Sequence, residues 1–285
     1  MRTVLQNPSL QNQFDQDGVI TVKLLSSGQM DALRSLVQRL KDDQKKQMAN
    51  VDSDYELSFF NSNAAYRKMV FNEIWQFFKG RVNEVLDDYV PLIINIFDKV
   101  PGTGEVPVHQ NWTFVDEAKY TSVSVWIPLV DVSRKNGTLE VVKGSHRILT
   151  PFRGPSIPWV FNDLFDQLRE KYLEPLTFSA GTAGVIDDSI IHWSSENHSA
   201  NVRTAIQLIM IPREATPIHY YRNPEEPNKL EVFEVDSDFF TTFNMFEKPV
   251  GVKSIGHVPF DYKNFSEEEL IKQIATQNPE ILEKV

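Results

Sequence analysis

The 285-residue chain reads as mainly β, a sandwich or jelly roll with helices packed outside it. Three observations point there. Two segments of helical period lie within the first 88 residues. From Tyr89 onward the period shortens, and brief apolar runs alternate with turn signals as far as Pro212. A further helix closes the chain. Helices first and then many short strands fit one layered β domain better than alternating βα units. The expected division is a helical and strand-bearing part over 1–88, a β core over about 89–212 and an extension over 213–285, all in one domain.

Each element has its own signal. Asp17-Gly18 is a turn before a short strand that reaches Leu24. Ser27 is a fair helix cap, and Met30, Leu33, Val37 and Leu40 follow at helical spacing. The charged end of that helix, Arg39 to Lys46, is a solvated face, and the short basic pair Arg67-Lys68 is read the same way. Residues 47–62 are polar and mixed, as a loop is. Residues 64–88 read as a second helix with Met69, Trp75, Phe78, Val82, Val85 and Leu86 on its apolar side; Phe71, Trp75, Phe77 and Phe78 are core aromatics.

Residues 89–100 are rich in Val, Ile, Leu and Phe, as a buried strand is, and Pro101-Gly102-Thr103-Gly104 turns the chain into a strand bearing His109. Along 120–131 the alternation is clean. Val123, Val125, Ile127 and Leu129 form a sheet-packing face; Ser122, Ser124 and Trp126 face the other way and suit a cavity wall. Asn136-Gly137 signals a tight turn before a strand over 138–142. The prolines of 150–175 mark an insertion with a short helical piece near 163–172, placed to cover a site. Strands follow near 178–187 and 204–211. Beyond Pro212 the pattern loosens into an acidic loop over 222–227 and an aromatic-rich stretch over 233–246. His198 and His219 have no partner pattern and read as surface. Ser266 with Glu269 makes a capping box ahead of Leu270, Ile271 and Ile274.

Composition narrows the function. The formal charge of −10 disfavours a phosphate backbone as partner, and no basic patch relieves it. No apolar run approaches a membrane span, and Met1 to Gln6 lack the apolar core of a secretory signal. Cysteine is absent, which rules out disulfides and thiolate metal sites and suits a reducing cytoplasm. The expected protein is cytoplasmic, a monomer or homodimer, without nucleic-acid or membrane partners.

The chemistry gathers at Val108-His109-Gln110-Asn111. In a strand, His109 and Asn111 face the same way and can address one ion. A second histidine, His192, follows far along the chain, and Arg203 comes eleven residues after it. Two imidazoles with one oxygen ligand and open positions suit a non-haem Fe(II) centre that activates O2, with Arg203 as a clamp for a nearby anion.

Taken together, several motifs at matching spacing resemble the phytanoyl-CoA dioxygenase family of Fe(II)/2-oxoglutarate oxygenases over about residues 14–212. They are Asp17-Gly18, Pro101-Gly102-Thr103-Gly104, Trp126-Ile127-Pro128-Leu129, Asn136-Gly137-Thr138-Leu139, Gly144-Ser145-His146-Arg147, and His192 with Asn197, Ser199 and Arg203. The resemblance implies a double-stranded β-helix, the cupin-like jelly roll. It implies Fe(II), with 2-oxoglutarate as cosubstrate, and oxidation of a small molecule with release of succinate and CO2. It places His109 and His192 on the metal, Arg203 on the distal carboxylate of 2-oxoglutarate, Ser194 beside that cosubstrate and Trp126 on the pocket wall. His146, Asn197 and Ser199 are structural in this reading, and Lys143 stands where the family has Pro.

Asn111 departs from the pattern, which has Asp there. The amide oxygen ligates, or water takes its place, or the site is inactivated and the protein only binds. Chloride has little room beside an Asn, which ranks halogenation below hydroxylation. Asp116 or Glu117 would substitute only through a sharp bend of their loop. Asp187 and Asp188 either orient a ligand or simply end a strand. Specificity is expected in 47–62, 113–119, 150–175 and the tail.

Overall fold

A computed structural model describes residues 2–45, 55–148, 152–244 and 247–276. Part of the 47–62 loop and the start of the 150–175 insertion lie outside these. The first helix, α1 (Pro8–Asp17), is absent from the sequence reading. Phe14 is its one buried residue, so it presents no apolar stripe. Its ends are what define it: the Asn7 side chain accepts from Ser9 and Leu10, Pro8 opens the first turn, and Gly18 leaves it at φ 74°.

The core is a six-stranded antiparallel sheet in the order β1-β8-β5-β10-β3-β2. Its strands are β1 (Val19–Lys23), β2 (Tyr55–Leu57), β3 (Tyr89–Lys99), β5 (Val123–Pro128), β8 (Thr182–Asp187) and β10 (Arg203–Pro212). One face carries Val123, Val125, Ile127, Val185, Leu208 and Ile94, and packs under α2 (Ser27–Lys45) and α3 (Ala64–Val82). Strand period two then turns Ser124, Trp126, Ile93, Asn95 and Gln207 to the opposite face, where the cavity lies. A smaller sheet in the order β4-β9-β6-β7 supplies the rest of the wall. It comprises β4 (Val106–His109), β6 (Glu140–Val141), β7 (Glu174–Pro175) and β9 (His192–Ser194). The architecture is the jelly roll expected from the sequence, mainly β with flanking helices.

Three local expectations need correction. Helix α3 stops at Val82 rather than 88, because Leu5 bridges Leu86 and the Asp87 amide donates to Val4 O. Its buried stripe is Tyr66, Val70, Ile74, Phe78 and Val82, with Met69 and Trp75 at the flanks. Arg67 is not merely solvated: it donates to the carbonyls of Asn61 and Thr241. The Asn136-Gly137 turn is a 3-10 turn, with Gly137 left-handed at φ 75°. A Cβ at Gly137 would lie 2.5 Å from Ser195 O, so only glycine lets the turn meet the strand bearing Ser194.

The tail is ordered where the sequence pattern was loose. β11 (Ile218–Arg222), β12 (Lys229–Glu234) and β13 (Lys253–Pro259) form a separate antiparallel sheet, and Asp236 caps a helix over Ser237–Thr242. His219 is not a surface residue. It is 3% exposed, packs its ring 5.3 Å from Phe239, and leaves Nε2 without a hydrogen-bond partner. The terminal helix, Glu267–Ala275, begins with the expected capping box.

Candidate active site

Strand pairing brings the two distant histidines together. His109 on β4 lies directly opposite His192 on β9, and their ring centroids are 4.1 Å apart. Each Nδ1–H donates to a backbone carbonyl two residues back, Pro107 O at 2.7 Å and Ile190 O at 2.9 Å. That fixes the tautomer and leaves each Nε2 as a bare lone pair, the form a metal binds. Burial lowers the pKa of both rings. For His192 the neighbouring His109 lowers it further, well below the ordinary value. Both imidazoles are therefore neutral at physiological pH.

Asn111 stands beside them, and its orientation is set by its neighbours. Its Nδ2 donates to Asp188 Oδ1 at 2.8 Å and to Ser124 Oγ at 3.1 Å, using both protons. The amide oxygen is left as the free acceptor beside His109, and Asn111 lines the cavity. Asp188 is fully buried and also accepts from Ser124 Oγ at 2.7 Å. Burial pushes its carboxyl up to about 6, against the hydrogen bonds from Ser124 and Asn111. Among the described residues no group of three or more His, Cys, Asp or Glu is placed to hold a metal. Asp116 pairs with Lys119, and Glu117 is held by Arg153, so neither approaches the histidines. The available donor set is two imidazoles and one amide oxygen.

Arg203 is 1% exposed, and Nε, Nη1 and Nη2 all lack a hydrogen-bond partner. It lies over two ring faces, Phe97 at 5.0 Å and Trp126 at 5.3 Å. The Trp126 indole N–H is also buried without a partner. Unpaired buried donors of this kind are costly unless an anion meets them. Opposite Arg203 in the sheet register is Lys99, which donates to Ser194 O, Ser194 Oγ and Ser195 O. Burial, with Arg203 beside it, lowers Lys99 to about 6. The Ser194 hydroxyl donates to Gly137 O. Ser194 and Trp126 both line the cavity, with Ser194 already bonded to Lys99 and Gly137.

The cavity has a volume of about 340 Å³. Leu57, Phe59 and Phe60 from the 47–62 stretch and Phe114 from 113–119 line it, whereas no described residue of the insertion or tail does. The insertion instead braces the segment that leaves the metal strand. Arg153 Nε donates to Asn111 O at 2.7 Å, and its fork grips Glu117. Trp159 donates to Gln110 Oε1 at 3.1 Å. From the tail, Phe240 packs edge-on against Phe114, and Tyr220 stacks on Phe152. Lys99, Asn95, Gln207 and Arg153 were not singled out from sequence. A lone polar residue inside the apolar run 92–97, Asn95, was the one local clue.

The residues fit the group that the sequence implies. Neutral imidazoles with free Nε2 atoms suit Fe(II), and the orphaned guanidinium suits a carboxylate. The described helices include none long and apolar enough to cross a membrane.

Comparison with known proteins agrees with this. The family model described as Phytanoyl-CoA dioxygenase (PhyH) matches residues 14–205. Phytanoyl-CoA dioxygenase 1 of Oryza sativa subsp. japonica is 34% identical over 128 residues, 41% of this chain and 42% of its own. A phytanoyl-CoA dioxygenase of Arabidopsis thaliana is 30% identical over 116 residues, 40% of this chain and 41% of its own. The matched stretch spans under half the length of each relative. Among solved structures, EctD from S. alaskensis, with 2-oxoglutarate and 5-hydroxyectoine, superposes at TM-score 0.54 and 18% identity, covering 78% of this chain and 81% of that one. The carbocyclase SnoK, described as non-haem and α-ketoglutarate-dependent, gives 0.53 and 17%, covering 74% and 86%. HygX from Streptomyces hygroscopicus, with nickel and 2-oxoglutarate bound, gives 0.52 and 14%, covering 73% and 88%. At such identities the likeness is one of fold.

Proposed function

Because this chain belongs to the phytanoyl-CoA dioxygenase family, we propose that it is an Fe(II)- and 2-oxoglutarate-dependent oxygenase that hydroxylates a small-molecule substrate. The single observation that carries the reading is the buried guanidinium of Arg203, without a hydrogen-bond partner and lying over Trp126, which lines the cavity together with His109 and His192.

His109 and His192 would hold the metal through Nε2, and the Asn111 amide oxygen would be the third protein ligand. Arg203 would take the distal carboxylate of 2-oxoglutarate in a planar fork, with the Trp126 indole N–H nearby. When bound, iron and 2-oxoglutarate supply the oxidising chemistry, with O2 consumed and succinate and CO2 released. The protein's own part is orientation and dryness. The two carbonyls on Nδ1 keep the rings in one tautomer, and the apolar walls exclude water.

Asn111 raises the alternative of an inactivated or altered site. Against it stands Asp188, which turns the amide oxygen toward the cavity and keeps a carboxylate one hydrogen bond from the ligand. The charge that an amide lacks is thus retained nearby. Anaerobic addition of Fe(II) and 2-oxoglutarate is expected to produce a visible charge-transfer absorption, absent in His192→Ala. Air is then expected to yield succinate. A protein that binds neither metal nor 2-oxoglutarate would overturn the assignment.

A further inference from the structure

The cavity contains a polar chain with a direction, and its free end specifies something about the substrate. Ser124 has one proton, which it donates to Asp188 Oδ1 at 2.7 Å. Its two lone pairs then accept from Asn111 Nδ2 at 3.1 Å and Gln207 Nε2 at 3.3 Å. Gln207 therefore presents Oε1 to Asn95, directly opposite on the neighbouring strand, and Asn95 Nδ2 donates to it at 3.4 Å. What remains is Asn95 Oδ1, an acceptor on a residue 4% exposed, on the cavity wall, with no hydrogen-bond partner. The carboxylate at one end of the chain decides that an acceptor stands at the other.

2-Oxoglutarate cannot satisfy that acceptor. Its carboxylates and keto group are acceptors themselves. The rest of the wall near Asn95 is apolar and aromatic, with Phe59, Phe97, Phe114, Trp112 and Ile209. None of the described residues lining the cavity is Lys, Arg, Asp or Glu.

We propose that the substrate is a neutral, largely apolar small molecule that carries a hydroxyl or N–H group and donates it to Asn95 Oδ1. This deepens the oxygenase reading and rests on it for the identity of the cavity. An acyl-CoA thioester would bring several phosphate charges to walls that offer them no cation. A donor-bearing substrate completes the chain, whereas an analogue without the donor leaves a buried acceptor unmet and binds more weakly.

The test uses the full chain with Mn(II) and 2-oxoglutarate, and two ring probes of one shape, 2-naphthol and 2-methylnaphthalene. Quenching of tryptophan fluorescence reports binding, since Trp112, Trp126 and Trp193 line the cavity. The wild type is expected to bind the naphthol about ten-fold more tightly or better. In Asn95→Leu the two probes are expected to bind alike. The wild-type comparison stands even if that variant does not fold. Equal binding of both probes by the wild type, no binding of either, or tighter binding of palmitoyl-CoA than of the naphthol would overturn the proposal. Separate titration of Mn(II) and 2-oxoglutarate keeps the two readings apart. If these fail to bind while the naphthol preference persists and depends on Asn95, the oxygenase assignment falls and the donor-reading site stands.

Discussion

Asn111 and Asp188, 77 residues apart in sequence, meet as an amide donor and a buried carboxylate 2.8 Å apart. This contact changes what the departure at position 111 means. Restoring the family's Asp there would set two carboxylates against each other in a buried site, where like charges oppose ionisation. Asn111→Asp alone is expected to lower the stability of the metal-free protein by about 2 kcal/mol. Adding Asp188→Asn restores one donor and one acceptor, and is expected to recover much of the loss, with a coupling of about 0.5–3 kcal/mol. Denaturant unfolding of the wild type, both single variants and the double variant measures this. Strictly additive effects would show that the pair does not act as a unit.

Arg203 predicts opposite signs for binding and stability. Arg203→Met removes a buried charge with no hydrogen-bond partner and keeps an apolar side chain among Phe97 and Trp126. The metal-free variant is expected to be as stable as the wild type or more so, by about 1–2 kcal/mol. Its affinity for 2-oxoglutarate is expected to fall about 100-fold. Thermal unfolding without ligands, beside calorimetric titration with 2-oxoglutarate, checks both halves. A variant that loses stability and keeps its affinity would refute the clamp.

Arg153 ties the insertion to the backbone of a ligand residue. Arg153→Met breaks its bond to Asn111 O and leaves Glu117 unpaired. Glu117 retains some water contact, so the expected loss is about 2 kcal/mol rather than the full cost of splitting a buried pair. Metal affinity is expected to fall about ten-fold, since the segment carrying His109 and Asn111 loosens. Mn(II) titration reads this directly.

His219 gives the pH prediction. Burial lowers it from 6.5 to about 4. Between those values the unfolded chain takes up a proton that the folded chain refuses, so this residue makes stability fall as pH falls through that window. The effect is on the order of 3 kcal/mol at its acid limit. His219→Phe removes it, together with the unpartnered Nε2. The variant is expected to match or exceed the wild type at pH 7, and its advantage is expected to grow toward pH 4. Parallel urea titrations across that range measure the difference, and a pH-independent difference would contradict it.

Local chemistry in the sequence marked the core strands and several turns, and singled out the two histidines and the arginine as candidates. Period-two alternation over 120–131 already assigned Val123 and Val125 to the core and Trp126 to the cavity, with Ser124 on the same face as Trp126. Such patterns are legible because each strand's faces meet different surroundings. Helix α1 and the tail strands were not, since capping and long-range pairing define them rather than an apolar stripe. Only the tertiary structure decided the partners. It placed Asp188 on Asn111, buried Arg203 without a hydrogen-bond partner and His219 with its Nε2 unmet, and aligned Ser124, Gln207 and Asn95 into one directed chain. A polar side chain's role depends on which donors and acceptors surround it once water is gone, and three strands distant in sequence supply those together.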